Sequence, residues 1–244
     1  MASEAVPATA EQGPDSAHGH DAHGDGDHHH APGLQHQFDT PIQQFDAAKL
    51  GMWAFLAQEL LFFGGLFVAY GVFRSWYPEA FSAGSHQLDR FMGGLNTIVL
   101  LFSSLTAALA VRSAQVNDKK RTGILLLVTI GCAFIFLVVK YFEYSHKFES
   151  GLLPGRHFFP AWEHLHTTHF PDHTSSFFSV YFMMTGLHGL HVVVGIGVLI
   201  WIFVRNQRGE FSNEYFTPVD VAALYWHLVD LIWIYLFPLL YLID

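Results

Sequence analysis

The sequence has a single cysteine, Cys132, so neither an intrachain disulfide framework nor a cysteine-built zinc site is open to it. Charge is scarce as well. Asp, Glu, Lys and Arg make up 14% of the 244 residues, against about 25% in an average soluble domain, a deficit that points to a membrane. The longest cationic run is Lys119-Lys120-Arg121, too short for a nucleic-acid interface, so no nucleic-acid partner is expected. A phosphate-binding glycine loop, a nucleophile elbow and a suitably spaced pair of catalytic carboxylates are all missing. Residues 1–46 lack Lys and Arg altogether and have almost no aliphatic side chains. They hold eight acids and seven histidines, and so carry nearly all of the net charge of −9. The His-, Asp- and Gly-rich stretch 18–30 cannot bury a core, so 1–46 reads as a disordered tail with at most weak metal affinity. It has neither the basic start nor the apolar centre of a secretory signal.

From residue 47 the chain changes character. Five apolar segments, near 48–73, 91–112, 123–145, 177–204 and 220–243, are long enough to cross a bilayer. Crossing takes about 20 residues at 1.5 Å each for roughly 30 Å of hydrocarbon. None alternates as a barrel strand would. The expectation is therefore an all-α membrane protein, with residues 47–244 forming a five-helix transmembrane bundle. Five spans put the termini on opposite sides. The N-terminal side would carry seven cations (Lys49, Arg112, Lys119, Lys120, Arg121, Arg205, Arg208) and the other side four (Arg74, Arg90, Lys147, Arg156). The positive-inside rule then places the N-terminus of this multi-pass protein in the cytoplasm and Asp244 outside.

Polar groups inside the spans are costly and need a partner or a purpose. Span one holds Glu59 near mid-depth. Its neighbours three and four residues away are Phe55, Leu56, Phe62 and Phe63, so no cation lies within a helical turn and a neutral acid is expected. Span two has Asn96, Thr97, Ser103, Ser104 and Thr106, suited to interhelical hydrogen bonds. Span three ends with Lys140 and Glu143, an i, i+3 pair that can neutralise itself. His188 and His191 on span four, and His227 and Asp230 on span five, repeat that spacing. Asp230 should be buried beside a hydrogen-bond donor, with His227 and the span-four histidines the nearest candidates in kind. Three readings stay open at this point: metal or haem ligation by His188, His191 and His227, a proton path through Glu59, Glu143 and the histidines, or groups that only fix helix register. Gly64, Gly65 and Gly71 read as helix-packing surface, and Trp53, Trp76, Trp201, Trp226 and Trp233 as interface anchors or contacts to partner helices. The segment 147–176 carries His157, His164, His166, His169 and His173 in no recognised ligand spacing, and reads as a docking surface or a short interfacial helix around 161–167.

Five stretches go further than composition. Phe182-Met-Met-Thr-Gly-Leu-His-Gly-Leu-His-Val192 resembles the Thr-Gly-x-His-Gly-x-His-Val signature of haem–copper oxidase subunit III, and Trp226-His-Leu-Val-Asp-Leu-Ile-Trp233 resembles that family's last-span motif. Leu95–Thr106, Glu59–Phe63 and Lys140–Tyr144 are similar to three more family stretches, the last placing its glutamate on Glu143. The order is right and covers about 47–243. The resemblance implies the non-redox subunit III of a respiratory oxidase that reduces O₂ to water and pumps protons. It implies oxidase subunits I and II as partners, haem and copper held by those subunits with no cofactor, metal or catalytic centre in this chain, and contact with membrane lipid. The implied role is to sustain proton entry and protect subunit I. Mitochondrial-type members have seven spans, and the first two have no counterpart here, as in short five-span bacterial cytochrome c oxidase and quinol oxidase subunits. A quinol oxidase subunit III and an accessory subunit of a nitric oxide reductase are alternatives within the class. A metal-cation transporter is the alternative outside it, although the internal repeats and broken helices common in transporters are not seen.

Overall fold

In a computed structural model of the chain, describing residues 37–152, 171–212 and 215–243, the spans are helices. Helix α1 (Pro41–Trp76) starts at Thr40, whose hydroxyl accepts from the Gln43 amide at 3.2 Å while the Gln43 side chain accepts from the Asp39 amide at 2.8 Å. The helix therefore begins inside the stretch whose composition reads as tail. Pro78 ends it, because the residue before a proline is driven out of helical geometry. A short helix α2 (Pro78–Ser85) follows, which no apolar run announced. Asp89 caps α3 (Arg90–Gln115) by accepting from the amides of Phe91 and Met92, and Asp118 caps α4 (Lys119–Glu149) through Arg121. Helix α5 (Thr174–Arg208) stops at Gly209, whose φ of +77° is the left-handed geometry that glycine adopts without strain. Helix α6 is Thr217–Tyr241. The tail over 1–36, the segment around 161–167 and the histidines between 157 and 169 lie outside the described residues.

Five of these helices, all but α2, are long and apolar enough to cross a membrane. They enclose one another unequally. α6 is the hub, lying against α1, α3 and α5, while α3 also packs along α4 and α4 along α5. In the most apolar window of α6, 56% of residues are buried, against 11% in α1, so α1 stands at the edge with most of its surface outward. Trp226 and Trp233 are wholly buried on α6 and donate to Ser103 at 2.9 Å and Thr97 at 3.1 Å on α3. These two tryptophans are core residues, not interface anchors, whereas Trp53, Trp76 and Trp201 are exposed. The Thr106 and Thr129 hydroxyls join α3 to α4 at 2.7 Å, the kind of bond expected of span two.

Close approach of α5 to α6 depends on Gly195, where an added Cβ would lie 2.8 Å from the Trp226 ring. Gly64, Gly65 and Gly71 face open space instead, and a Cβ added at any of them would meet nothing within 4 Å. They are not packing sites within this chain, contrary to the reading of α1's glycines from sequence.

Candidate functional site

Two polar clusters stand out in the bundle. The first lies between α1 and α5. His191 sits one turn beyond Leu187, and its Nδ1 is 2.9 Å from the Leu187 carbonyl oxygen, while its Nε2 is 3.1 Å from Glu59 Oε2. A carbonyl can only accept, so Nδ1 carries a proton and donates it. Nε2 then meets the Glu59 carboxyl in one of two ways. Either a neutral acid donates to a neutral imidazole, or a carboxylate accepts from an imidazolium. In both, one proton is held between the two residues. Phe63 packs edge-on against the His191 ring, with centroids 5.3 Å apart, and Tyr225 donates to the His191 carbonyl at 3.0 Å. The two side chains keep 11% and 15% exposure, so the pair is enclosed but still open along the α1–α5 seam.

The second cluster closes the other half of the bundle, where α4, α5 and α6 meet. Lys140 donates to Glu143 Oε2 at 2.9 Å, to the Tyr181 hydroxyl at 3.2 Å and to the Tyr241 hydroxyl at 2.8 Å. Both tyrosines pass their own protons to Glu143 Oε1, at 2.9 and 2.6 Å. The rings of Tyr144, Tyr181, Trp233 and Tyr241 stand 5.1–5.5 Å from the Lys140 nitrogen, which adds cation–π attraction. The i, i+3 pairing of Lys140 with Glu143 was legible in the sequence. The two tyrosines were not, and the signal that could have found them is a buried lysine with more donors than one carboxylate can use.

The remaining expected residues do not converge. His188 is wholly buried between the rings of Phe136 and Trp233, at 5.5 and 5.3 Å, and neither of its nitrogens has a hydrogen-bond partner. His227 Nδ1 pairs with the Ser104 hydroxyl at 2.7 Å. Asp230 is buried as expected, but not beside a donating histidine. Ser103 and Ser104 are close, yet no hydrogen bond reaches its oxygens; Ser103 donates to the Leu100 carbonyl and Ser104 lies against His227 Nδ1. A shared metal or haem site does not fit His188, His191 and His227. One is engaged by Glu59 and Leu187, one by Ser104 and one is walled in by aromatic rings. Among the described residues, no three His, Cys, Asp or Glu side chains come together as a ligand set.

The sequence is similar to known oxidase subunits. A family model for cytochrome c oxidase subunit III matches residues 157–244. Cytochrome c oxidase subunit 3 of Synechocystis sp. is 32% identical over 81% of this chain and 76% of its own length. That of Thermostichus vulcanus is 30% identical over 82% and 89%. A probable quinol oxidase subunit 3 of Staphylococcus aureus is 24% identical over 84% and 94%.

Proposed function

This chain belongs to the cytochrome c oxidase subunit III family of haem–copper oxidases, and from that membership we propose that it is the non-redox subunit of a proton-pumping terminal oxidase in the plasma membrane. Its partners are then oxidase subunits I and II, which hold the haem and copper where O₂ is reduced to water. What supports placing those groups in the partners is that, among the described residues, His191 is committed to Glu59, His227 to Ser104 and His188 to its aromatic walls. Cytochrome c is the favoured electron donor, since the relatives named for it are nearer in identity than the one named for quinol.

The observation that carries a supporting role in proton exchange is the Glu59–His191 pair. A carboxyl and an imidazole that share one proton can pass it from one to the other with no movement of the backbone, and a water or partner group reaching the pair would take it away or replace it. The pair faces the α1–α5 seam, the least enclosed part of the bundle and the part with most surface left for a partner subunit. The Lys140–Glu143 cluster is closed by its own hydrogen bonds and serves to lock α4, α5 and α6.

Purification of the tagged chain in mild detergent tests the assignment. The expected result is co-purification of two larger oxidase subunits, with the visible spectrum of haem a and a copper-bearing subunit II. Haem b or o without that copper would move the donor to quinol. A chain that purifies without any oxidase subunit would overturn the proposal.

A further inference from the structure

A cavity of about 520 Å³ lies where the α2–α3 connection meets the last turns of α4, and neither polar cluster accounts for it. Its apolar wall is Leu88, Met92, Val139 and Phe142. Phe142 is 67% exposed and Met92 41%, so this wall opens outward, and it continues along α4 into the exposed Val138 and Ile135. Met92 is two residues into α3 and Lys147 two residues from the end of α4, so the cavity straddles the edge of the hydrocarbon layer. Trp76 and Tyr141, exposed near the same end of the bundle, are the side-chain types that favour that boundary.

The polar side of the cavity presents one cation, Lys147, and two carboxylates. One of these is Glu143, but Lys140, Tyr181 and Tyr241 take both of its oxygens and balance its charge. That leaves Lys147 and Asp89. Lys147 is 5% exposed and donates to the Gln87 carbonyl, which uses one of its three N–H groups. Asp89 spends Oδ1 on the α3 cap, where it accepts from the Phe91 and Met92 amides. A buried cation and an anion at the mouth of an apolar, outward-opening cavity complement a headgroup that itself joins a phosphate to an ammonium.

We propose that this cavity is a phospholipid site specific for phosphatidylethanolamine, with the phosphate on Lys147, the ammonium on Asp89 and the acyl chains along Phe142, Val138 and Ile135. His86 and His146, also on the cavity lining, can donate ring N–H groups to the same phosphate. A carboxylate recognises the ethanolamine ammonium through N–H donation that a trimethylammonium headgroup does not have. A cavity of this size is in the range of ordinary small-molecule sites.

The test uses the intact oxidase containing this chain, stripped of lipid in detergent and reloaded with phosphatidylethanolamine bearing a photoactivatable acyl chain. Crosslinks mapped by peptide mass spectrometry should fall on residues 135–142 and on Met92. Asp89→Asn, which keeps the α3 cap, and Lys147→Gln should each lower the yield by about tenfold, the scale of one lost charge-assisted hydrogen bond. Val139→Trp, which fills the cavity without touching a polar group, should abolish it. The matching phosphatidylcholine and phosphatidylglycerol probes should label these residues weakly in the parent complex. Equal labelling by phosphatidylcholine, stronger labelling by phosphatidylglycerol, or phosphatidylethanolamine labelling that survives all three substitutions would overturn the proposal.

Discussion

Lys140 and Glu143 lie almost wholly inside the bundle, where each ion alone would cost several kcal/mol of lost solvation, and the compensation is visible in their geometry. Three donors of Lys140 and two tyrosine hydroxyls converge on one carboxylate and on each other. Lys140→Met leaves Glu143 buried without its counter-ion and is expected to destabilise the subunit by about 3–5 kcal/mol. The double variant Lys140→Met/Glu143→Leu should recover part of that loss. Retention of the subunit through a detergent or heating series measures both, and a double variant as weak as the two losses summed would show that the residues are not a pair. The Glu59–His191 contact makes a different claim. Glu59→Gln preserves size and hydrogen bonding, so assembly should be normal, while activity should decay faster during sustained turnover because an amide cannot take part in proton exchange. His191→Gln should behave alike, and the double variant should be no worse than either single one; additive losses would mean two independent roles. The sequence revealed the first pairing because its partners are one turn apart. It could not reveal the second, whose partners are 132 residues apart and meet only once α1 lies against α5. For the same reason the i, i+3 spacings of His188 with His191 and of His227 with Asp230 misled. Residues one turn apart share a side of the helix, but His188 is turned to α4 and α6 and His191 to α1, while His227 and Asp230 both lie beside Ser104 of α3 without bonding each other.

At the scale of elements, apolar length located all five spans, and boundary residues that are easy to recognise in hindsight set their true ends. Thr40 with Gln43 extends α1 seven residues beyond the apolar segment's start, and α5 runs to the glycine that can turn it. What length could not supply was the face each helix buries. Trp226 and Trp233 look like boundary aromatics in sequence, but the small and hydroxyl side chains opposite them on α3 and α5 draw them inside, where their indole N–H groups find partners. Gly195→Ala tests that packing. Its new methyl group would meet the Trp226 ring, which is itself tied to Ser103, so the substitution should cost about 1–3 kcal/mol by overpacking. Gly64→Ala meets nothing within the chain and should leave the isolated subunit as stable or slightly more so, since alanine favours helix over glycine by about 0.5–1 kcal/mol. Thermal unfolding of the two variants side by side reads the contrast, and equal effects would show that Gly195 is not a contact point.

The whole molecule is polarised between its two ends. At one end Lys49 pairs with Asp220 at 3.2 Å, Arg121 with Asp118 at 3.1 Å and Arg205 with Glu210 at 2.5 Å, and Asn206 reaches the Lys119 carbonyl at 3.0 Å. Seven cations gather there. At the other end the last residues of the chain are fastened down: Ser85 and Arg90 donate to the Ile243 carbonyl and Tyr70 to that of Leu239, beside only three described cations, Arg74, Arg90 and Lys147. The nearby acids do not cancel the asymmetry for orientation, because insertion follows Lys and Arg and largely ignores Asp and Glu. The cation-rich end, and with it the N-terminus, should face the cytoplasm. The chain is suited to a direct check, because its sole cysteine, Cys132, is only 9% exposed and within a span, and should react little with a polar reagent. Val116→Cys, exposed at the cation-rich end, and Glu79→Cys, exposed at the other, supply one reporter per side. In intact spheroplasts a membrane-impermeant maleimide should label Glu79→Cys and spare Val116→Cys, and inside-out vesicles should reverse the pattern. Labelling of Val116→Cys in spheroplasts would mean that the bundle is inserted the other way, with the positive charge held outside by its partner subunits and not by the insertion rule.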